Sequence, residues 1–278
     1  MDRDKQLELM KLAAKIRIGI VDQLKSFGVG HIGGSLSIAD TLAVLYGDVM
    51  KYDPKNPDDP DRDKLVMSKG HTGPALYAAL AVKGFFPYDV LYTLNRGGTN
   101  LPSHCDRNKT PGVDMTTGSL GQGVSLALGM ALGDKLKGRT SRTFLICGDG
   151  EINEGQFWEA MLFAAAKKVN NLVILVDNNK KQLDGTTEEV LDLGDIEAKL
   201  AAFGLDACTI DGNNIEVLYN SLKETGTRGK PTAIVLDTVK GKGIPEVENT
   251  YANHSMTVKE ETGDRWLEHL RAEYERLV

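Results

Sequence analysis

Thr143-Phe144-Leu145-Ile146-Cys147-Gly148-Asp149-Gly150-Glu151 decides the fold. A short apolar run stops on two glycines flanking a carboxylate, as a buried strand does where its chain turns toward a ligand. A second such run, Leu172-Val173-Ile174-Leu175-Val176-Asp177, stops on Asn178-Asn179. Between them the spacing predicts an amphipathic helix over about 155–168. Strand, helix, strand means two parallel neighbours whose loops emerge at one edge of a sheet. Ligands of open α/β sheets bind outside the carboxyl ends of the strands. Asp149 and Asn179, thirty positions apart, would meet there with a carboxylate oxygen and an amide oxygen. The backbone carbonyl of Lys181 completes an oxygen set suited to Mg²⁺ or Ca²⁺, with phosphate oxygens and water filling the shell. The Gly150 N–H would reach a phosphate. Asp-Gly and Asn-Asn are also common turn pairs, and the two strands and the helix around them are what set this pair apart.

The same alternation runs outward. Helical spacing is expected over 6–27, stopping at Gly28 and Gly30, then over 35–46, 73–83, 121–137 and 214–225, with a helical tail over 257–277. Strands are expected over 64–68, 206–210 and 232–239. Strands alternating with helices predict an α/β fold, a parallel sheet flanked by helices on both faces. No linker divides the 278 residues, so 1–278 reads as a single domain. Residues 96–119 form a Gly/Pro/Thr-rich segment with little regular structure, and a loop that long in a compact domain is more often functional than idle.

The net charge of −6 argues against nucleic-acid or anionic-membrane partners, which need a basic face. No apolar run approaches the roughly 20 residues that cross a bilayer. Met1-Asp2-Arg3-Asp4-Lys5 lacks the apolar core of a signal peptide. Cys105, Cys147 and Cys208 are scattered and odd in number, as free thiols of a reducing cytoplasm are.

Gly28-Val29-Gly30-His31-Ile32-Gly33 matches the dinucleotide-binding glycine pattern literally. That fingerprint needs a strand before it; a long helix precedes it here, so the glycines read as a helix stop and a tight turn. Four of the five histidines, His31, His71, His104 and His254, lie in glycine- or turn-rich loops, while His269 lies on a helix. Imidazoles gathered in one pocket could bond hydroxyls and phosphates and pass protons near neutral pH. Gly118-Ser119-Leu120-Gly121-Gln122-Gly123 opens a small-residue helix, either as a packed junction or as a backbone wall against a cofactor ring with Leu120 as the apolar contact. Glu154 reads equally as an acid favoured by a helix N-terminus or as a carboxylate facing a partner.

Taken together these segments resemble the amino-terminal part of a transketolase. Gly30-His31-Ile32-Gly33-Gly34-Ser35 resembles the family's GHPGA-type loop, and Arg62 to His71 its segment ending in S-x-G-H. Leu101-Pro102-Ser103-His104 and Thr116 to Gly123 are similar to LPGH and TTGPLGQG. Ser103 and Ser119 are mild departures, and Asn253-His254-Ser255 departs from the family's histidine-glycine context. Gly148 to Gly155, then Asp177-Asn178-Asn179-Lys180 with Asp184-Gly185, resemble the paired GDG and NN motif that binds thiamine diphosphate.

The resemblance implies a pyrophosphate-binding domain with a metal, Mg²⁺ or Ca²⁺, on Asp149, Asn179 and the Lys181 carbonyl. Thiamine diphosphate would be held by His71, Gly118, Ser119, Leu120, Gly150, Glu151, Asn179, Leu183 and His254. His31, His71, His104 and His254 would serve catalysis in the substrate channel. Full-length transketolases continue into a pyrimidine-binding domain and a carboxy-terminal domain, which are absent here. The expectation is therefore the amino-terminal subunit of a split transketolase, acting on sugar phosphates in a heterotetramer with a separate carboxy-terminal subunit. Three rivals are a non-catalytic thiamine diphosphate-binding subunit, the α subunit of a 2-oxo acid dehydrogenase and a deoxyxylulose phosphate synthase-like protein. The retained histidines argue against the first. The four-histidine pattern fits the second poorly, and the segments ending at His71 and His104 favour transketolase over the third.

Overall fold

The computed structural model describes residues 1–226 and 228–278. Helix α1 (Arg3–Phe27) is capped by the Asp2 carboxylate, which accepts from the Lys5 N–H at 2.8 Å, and ends on Gly28 in the left-handed region at φ 96°. Strand β1 (Val29–Gly30), α2 (Ile32–Ser37) and α3 (Ala39–Val44) follow. The single helix expected over 35–46 is thus two: it starts earlier, breaks at Ile38, and ends in a π-helical turn at Leu45–Val49. Next come β2 (Lys64–Met67) and α4 (Gly73–Val82). Residues 96–119 hold neither helix nor strand.

Then come α5 (Gln122–Leu136), β3 (Thr143–Gly148), α6 (Gly155–Ala166) and β4 (Leu172–Asn178), as the sequence predicts. The short helices α7 (Thr187–Leu191) and α8 (Ile196–Ala202) are additions to the expected set. The sequence does carry a signal for α7: the Thr186 hydroxyl and the Glu189 carboxylate form a reciprocal capping box. Strand β5 (Asp206–Asp211), α9 (Ile215–Lys223), β6 (Thr232–Asp237), α10 (Pro245–Glu248), β7 (Met256–Thr257) and α11 (Glu260–Glu275) complete the chain. The tail helix begins three residues later than expected because Met256 and Thr257 pair antiparallel with Gly30 and Val29.

The main sheet runs β2-β3-β4-β6-β5, and every neighbouring pair is parallel. Gly148 lies opposite Asp177 in the β3–β4 register, so Asp149 and the Asn178-Asn179 turn leave the sheet side by side. Alternate residues enter two separate cores. Leu65, Met67, Phe144, Ile146, Val173, Leu175, Ile234 and Leu236 meet α1, α3, α4, α9 and α11 on one face. Val66, Leu145, Cys147, Ile174, Val176, Ala233 and Val235 meet α5, α6 and α8 on the other. Both faces are apolar, as a sheet covered on both sides requires. Among the described residues no helix is long and apolar enough to cross a membrane.

Candidate active site

Four strand ends build one cavity of ≈ 240 Å³ at the carboxyl edge of the sheet. The loop after β2 brings Lys69 and His71, and the loop after β3 brings Asp149, Gly150 and Glu151. The turn after β4 brings Asn179, Lys181, Gln182 and Leu183, and the segment after β6 brings Lys240 and His254; Gly34 and Leu120 close the wall.

Asp149 is 3 % exposed. Its carboxylate accepts from the Gly150 N–H at 2.7 Å and the Lys180 N–H at 2.5 Å. Burial, with the nearby Asp177 charge adding to it, pushes its pKa up to about 6. Asn179 turns its Nδ2 away, donating to Asp177 Oδ2 at 2.8 Å, while its Oδ1 accepts from the Lys181 N–H at 3.2 Å. The Lys181 carbonyl accepts from Lys240 Nζ at 2.7 Å. A carbonyl oxygen has two lone pairs, so this bond leaves one open to a cation. Among the described residues no three His, Cys, Asp or Glu side chains form a metal-binding group. A metal here would rest on one carboxylate, one amide oxygen and one carbonyl, the hard oxygen set of a cation that shares its shell with phosphates and water. The donors fit the group the sequence implies.

Glu151 lines the cavity, but its oxygens are already engaged. Oε1 accepts from the Gly121 N–H at 2.9 Å and from Ser68 Oγ, and Oε2 from the Gly148 N–H at 3.1 Å. It ties three loops together. Lys240 is a site residue that sequence reasoning misses. Burial pushes its pKa down to about 8, and its Nζ also lies 3.3 Å from His254 Nδ1. In the sequence, Lys240-Gly241-Lys242-Gly243 reads only as a polar strand end. Lys69 is missed as well: it is 2 % exposed and paired with Asp177.

The four loop histidines do gather. His31 lies 5.2 Å from His71, 6.1 Å from His104 and 5.3 Å from His254 between ring centroids, and His71 lies 4.9 Å from His254. Burial pushes His71 down to about 2, with Lys69 adding to it, and His254 down to about 4, with Lys240 adding to it. Burial lowers His31 too. These three rings are neutral at pH 7, and a neutral imidazole can both donate and accept. His104 stands beside Gly118, where an added Cβ would meet its ring at 3.3 Å. Leu120 and Leu183 reach the cavity from its rim, 39 % and 69 % exposed. Gly118, Ser119, His31 and His104 do not line the cavity itself. The Asp211-to-Asn214 loop serves the fold: Asn213 bonds the Ser37 carbonyl, Asp40 and the Val239 N–H.

A parallel sheet with an oxygen-rich, imidazole-lined pocket at its strand ends is the α/β ligand-binding arrangement that the sequence resemblance implies. The comparisons with known proteins agree. Residues 9–270 match the family model "Transketolase, thiamine diphosphate binding domain", and the chain belongs to the transketolase family. It is 49 % identical over 259 residues to a 6-deoxy-6-sulfo-D-fructose transketolase subunit of Clostridium sp. (strain MSTE9), covering 93 % of this chain and 94 % of that protein. It is 38 % identical over 267 residues to an apulose-4-phosphate transketolase subunit of Actinobacillus succinogenes, covering 96 % and 97 %. The transketolase structure from Leishmania mexicana superposes with a TM-score of 0.86 at 29 % identity, over 97 % of this chain and 45 % of that one. The chain thus spans less than half of a full-length transketolase and nearly the whole of the separately encoded subunits; it matches the amino-terminal subunit of a split transketolase.

Proposed function

We propose that this chain, as one pyrophosphate-binding domain over 1–278, holds thiamine diphosphate and Mg²⁺ for a two-chain transketolase. It moves a two-carbon ketol unit from a ketose to an aldose when a second subunit supplies the pyrimidine-binding domain. The carrying observation is that Asp149, Asn179 and Lys181 line the same cavity as the neutral imidazoles of His71 and His254. When bound, thiamine diphosphate supplies the carbanion chemistry of carbon–carbon cleavage. The protein does the rest. Asp149 and the oxygens of Asn179 and Lys181 hold the metal, and the Lys240 ammonium faces the diphosphate; the Gly150 N–H, which the sequence reading aims at a phosphate, is bonded to Asp149 instead. The four histidines bond sugar hydroxyls and carry protons at their ring nitrogens. Leu120 and Leu183 at the rim pack on the cofactor rings.

The similarity to subunits named for a sulfonated and a phosphorylated sugar supports a ketose donor with an anionic group at its far end. The greater identity to the former puts the sulfonated ketose first. The reading places the enzyme in the cytoplasm, where free Cys105, Cys147 and Cys208 stay reduced, as a heterotetramer with two copies of each chain.

The partner's seat is the outward side of α5 and α6. Both helices are apolar almost all round, the pattern of helices buried on every side. Yet Leu126, Leu136, Leu162 and Phe163 are 39 %, 79 %, 60 % and 43 % exposed. Gln122, Gln156 and Ser125 bond the two helices together on that side, next to Leu120 at the cavity rim.

Calorimetry with thiamine diphosphate and Mg²⁺, on the chain alone and with its partner, tests the reading alongside ketol transfer from sulfonated and phosphorylated ketoses. Turnover only in the mixture supports it. Tight cofactor binding without turnover in any mixture would instead favour a binding subunit.

A further inference from the structure

We propose that Asp177 is a positioning residue that makes Asn179 an oxygen ligand, by holding the amide nitrogen of Asn179 away from the cavity. The inference rests on the cofactor reading above. Asp177, near the end of β4, is fully buried and does not line the cavity, so it touches no ligand. Its Oδ2 accepts from Asn179 Nδ2 at 2.8 Å, from Ser37 Oγ at 2.7 Å and from Lys69 Nζ, and its Oδ1 accepts from Thr238 Oγ1. The four donors come from four separate segments, which fixes the carboxylate in place.

The two ends of an asparagine amide are nearly alike in shape, and only their partners decide which end faces where. A carboxylate accepts and never donates. Facing Asp177, Asn179 must therefore present Nδ2 inward, which leaves Oδ1 toward the cavity side beside the Lys181 N–H. A divalent cation of the hard kind takes the oxygen and rejects the N–H₂. An amide at position 177 could serve either orientation and would remove this selection.

A buried carboxylate needs a counter-charge. Lys69 gives it, with its ammonium also anchored on the Gly34 carbonyl at 3.0 Å. Lys69 balances the charge of the pair as a whole, while the Asp177 carboxylate still adds to the upward push on Asp149.

The test is a double-mutant cycle on Mn²⁺ affinity, read by electron paramagnetic resonance in the complex with thiamine diphosphate and the partner subunit. Asp177→Asn is expected to weaken Mn²⁺ about 10- to 100-fold, the usual effect of losing an outer partner of a metal ligand. In the Asn179→Asp background both ends of residue 179 are oxygens and orientation no longer matters. There Asp177→Asn should change affinity by less than about threefold, or improve it by removing a like charge. Lys69→Met with Asp177→Asn removes the buried charge together with its partner, and serves if Asp177→Asn alone does not fold. Equal losses in both backgrounds, or no loss in the first, would overturn the inference. Failure of the unaltered complex to bind Mn²⁺ would overturn the cofactor reading itself.

Discussion

The two helical layers of this molecule are finished differently. On one face of the sheet α1, α4 and α11 pack over one another, and Leu9, Ile16, Ile20, Leu24 and Leu42 are wholly buried by the chain itself. On the other face α5 and α6 bury only their inner sides. Their outer sides carry leucines, a phenylalanine, and two glycines, Gly129 and Gly133, at which an added Cβ would meet nothing within 4 Å. A glycine inside a helix costs about 1 kcal/mol against alanine, and the chain's own packing does not require it here. The first layer serves folding; in the proposed reading the second is the partner's seat.

The sharpest way to break this contrast is to charge the second layer. Leu126→Asp with Leu162→Asp should abolish association with the partner and cut ketol transfer by more than about 100-fold, as loss of interface anchors does. Melting of the isolated chain should scarcely move. Size-exclusion chromatography and thermal scans read both, and loss of folding in the isolated chain would mean that this surface belongs to the chain's own core. Leu42→Ala tests the first layer. It should destabilise the isolated chain by about 2–5 kcal/mol in urea, with Kd for the partner unchanged among the molecules that remain folded.

The edge where the layers meet answers to pH. His71 is held near 2 in the folded chain, against about 6.5 in an unfolded one. Its contribution to stability is complete above pH 6.5 and is lost as pH falls, because the unfolded chain takes up the proton first. By pH 5 the loss from this group is about 2 kcal/mol, and His71→Asn should flatten that part of the urea profile. The smallest effect belongs to Gly129→Ala. It should stabilise the isolated chain by about 0.5–1 kcal/mol while weakening partner binding. A gain in both would show that nothing approaches that helix closely.

The sheet is legible in the sequence because β2, β3, β4 and β6 are buried apolar runs that stop on glycine or polar residues. The proposed metal ligands are legible for the same reason, since the β3–β4 register brings Asp149 beside Asn179. Lys240 and Lys69 are not. A lysine in a loop reads as solvated, and only tertiary packing buries these two and aims one at a carbonyl and the other at a carboxylate. The pairing of β1 with β7 is equally hidden, because partners more than 200 residues apart leave no local pattern.

That small β1–β7 ladder has a consequence in time. His31 follows the first of its strands and His254 precedes the second, and the Gly33 N–H bonds the Asn253 carbonyl at 3.1 Å to seal the junction. A ribosome delivers His31 more than 200 residues before His254. The imidazole cluster therefore cannot assemble on a growing chain until β7 has emerged to pair with a strand made more than 200 residues earlier.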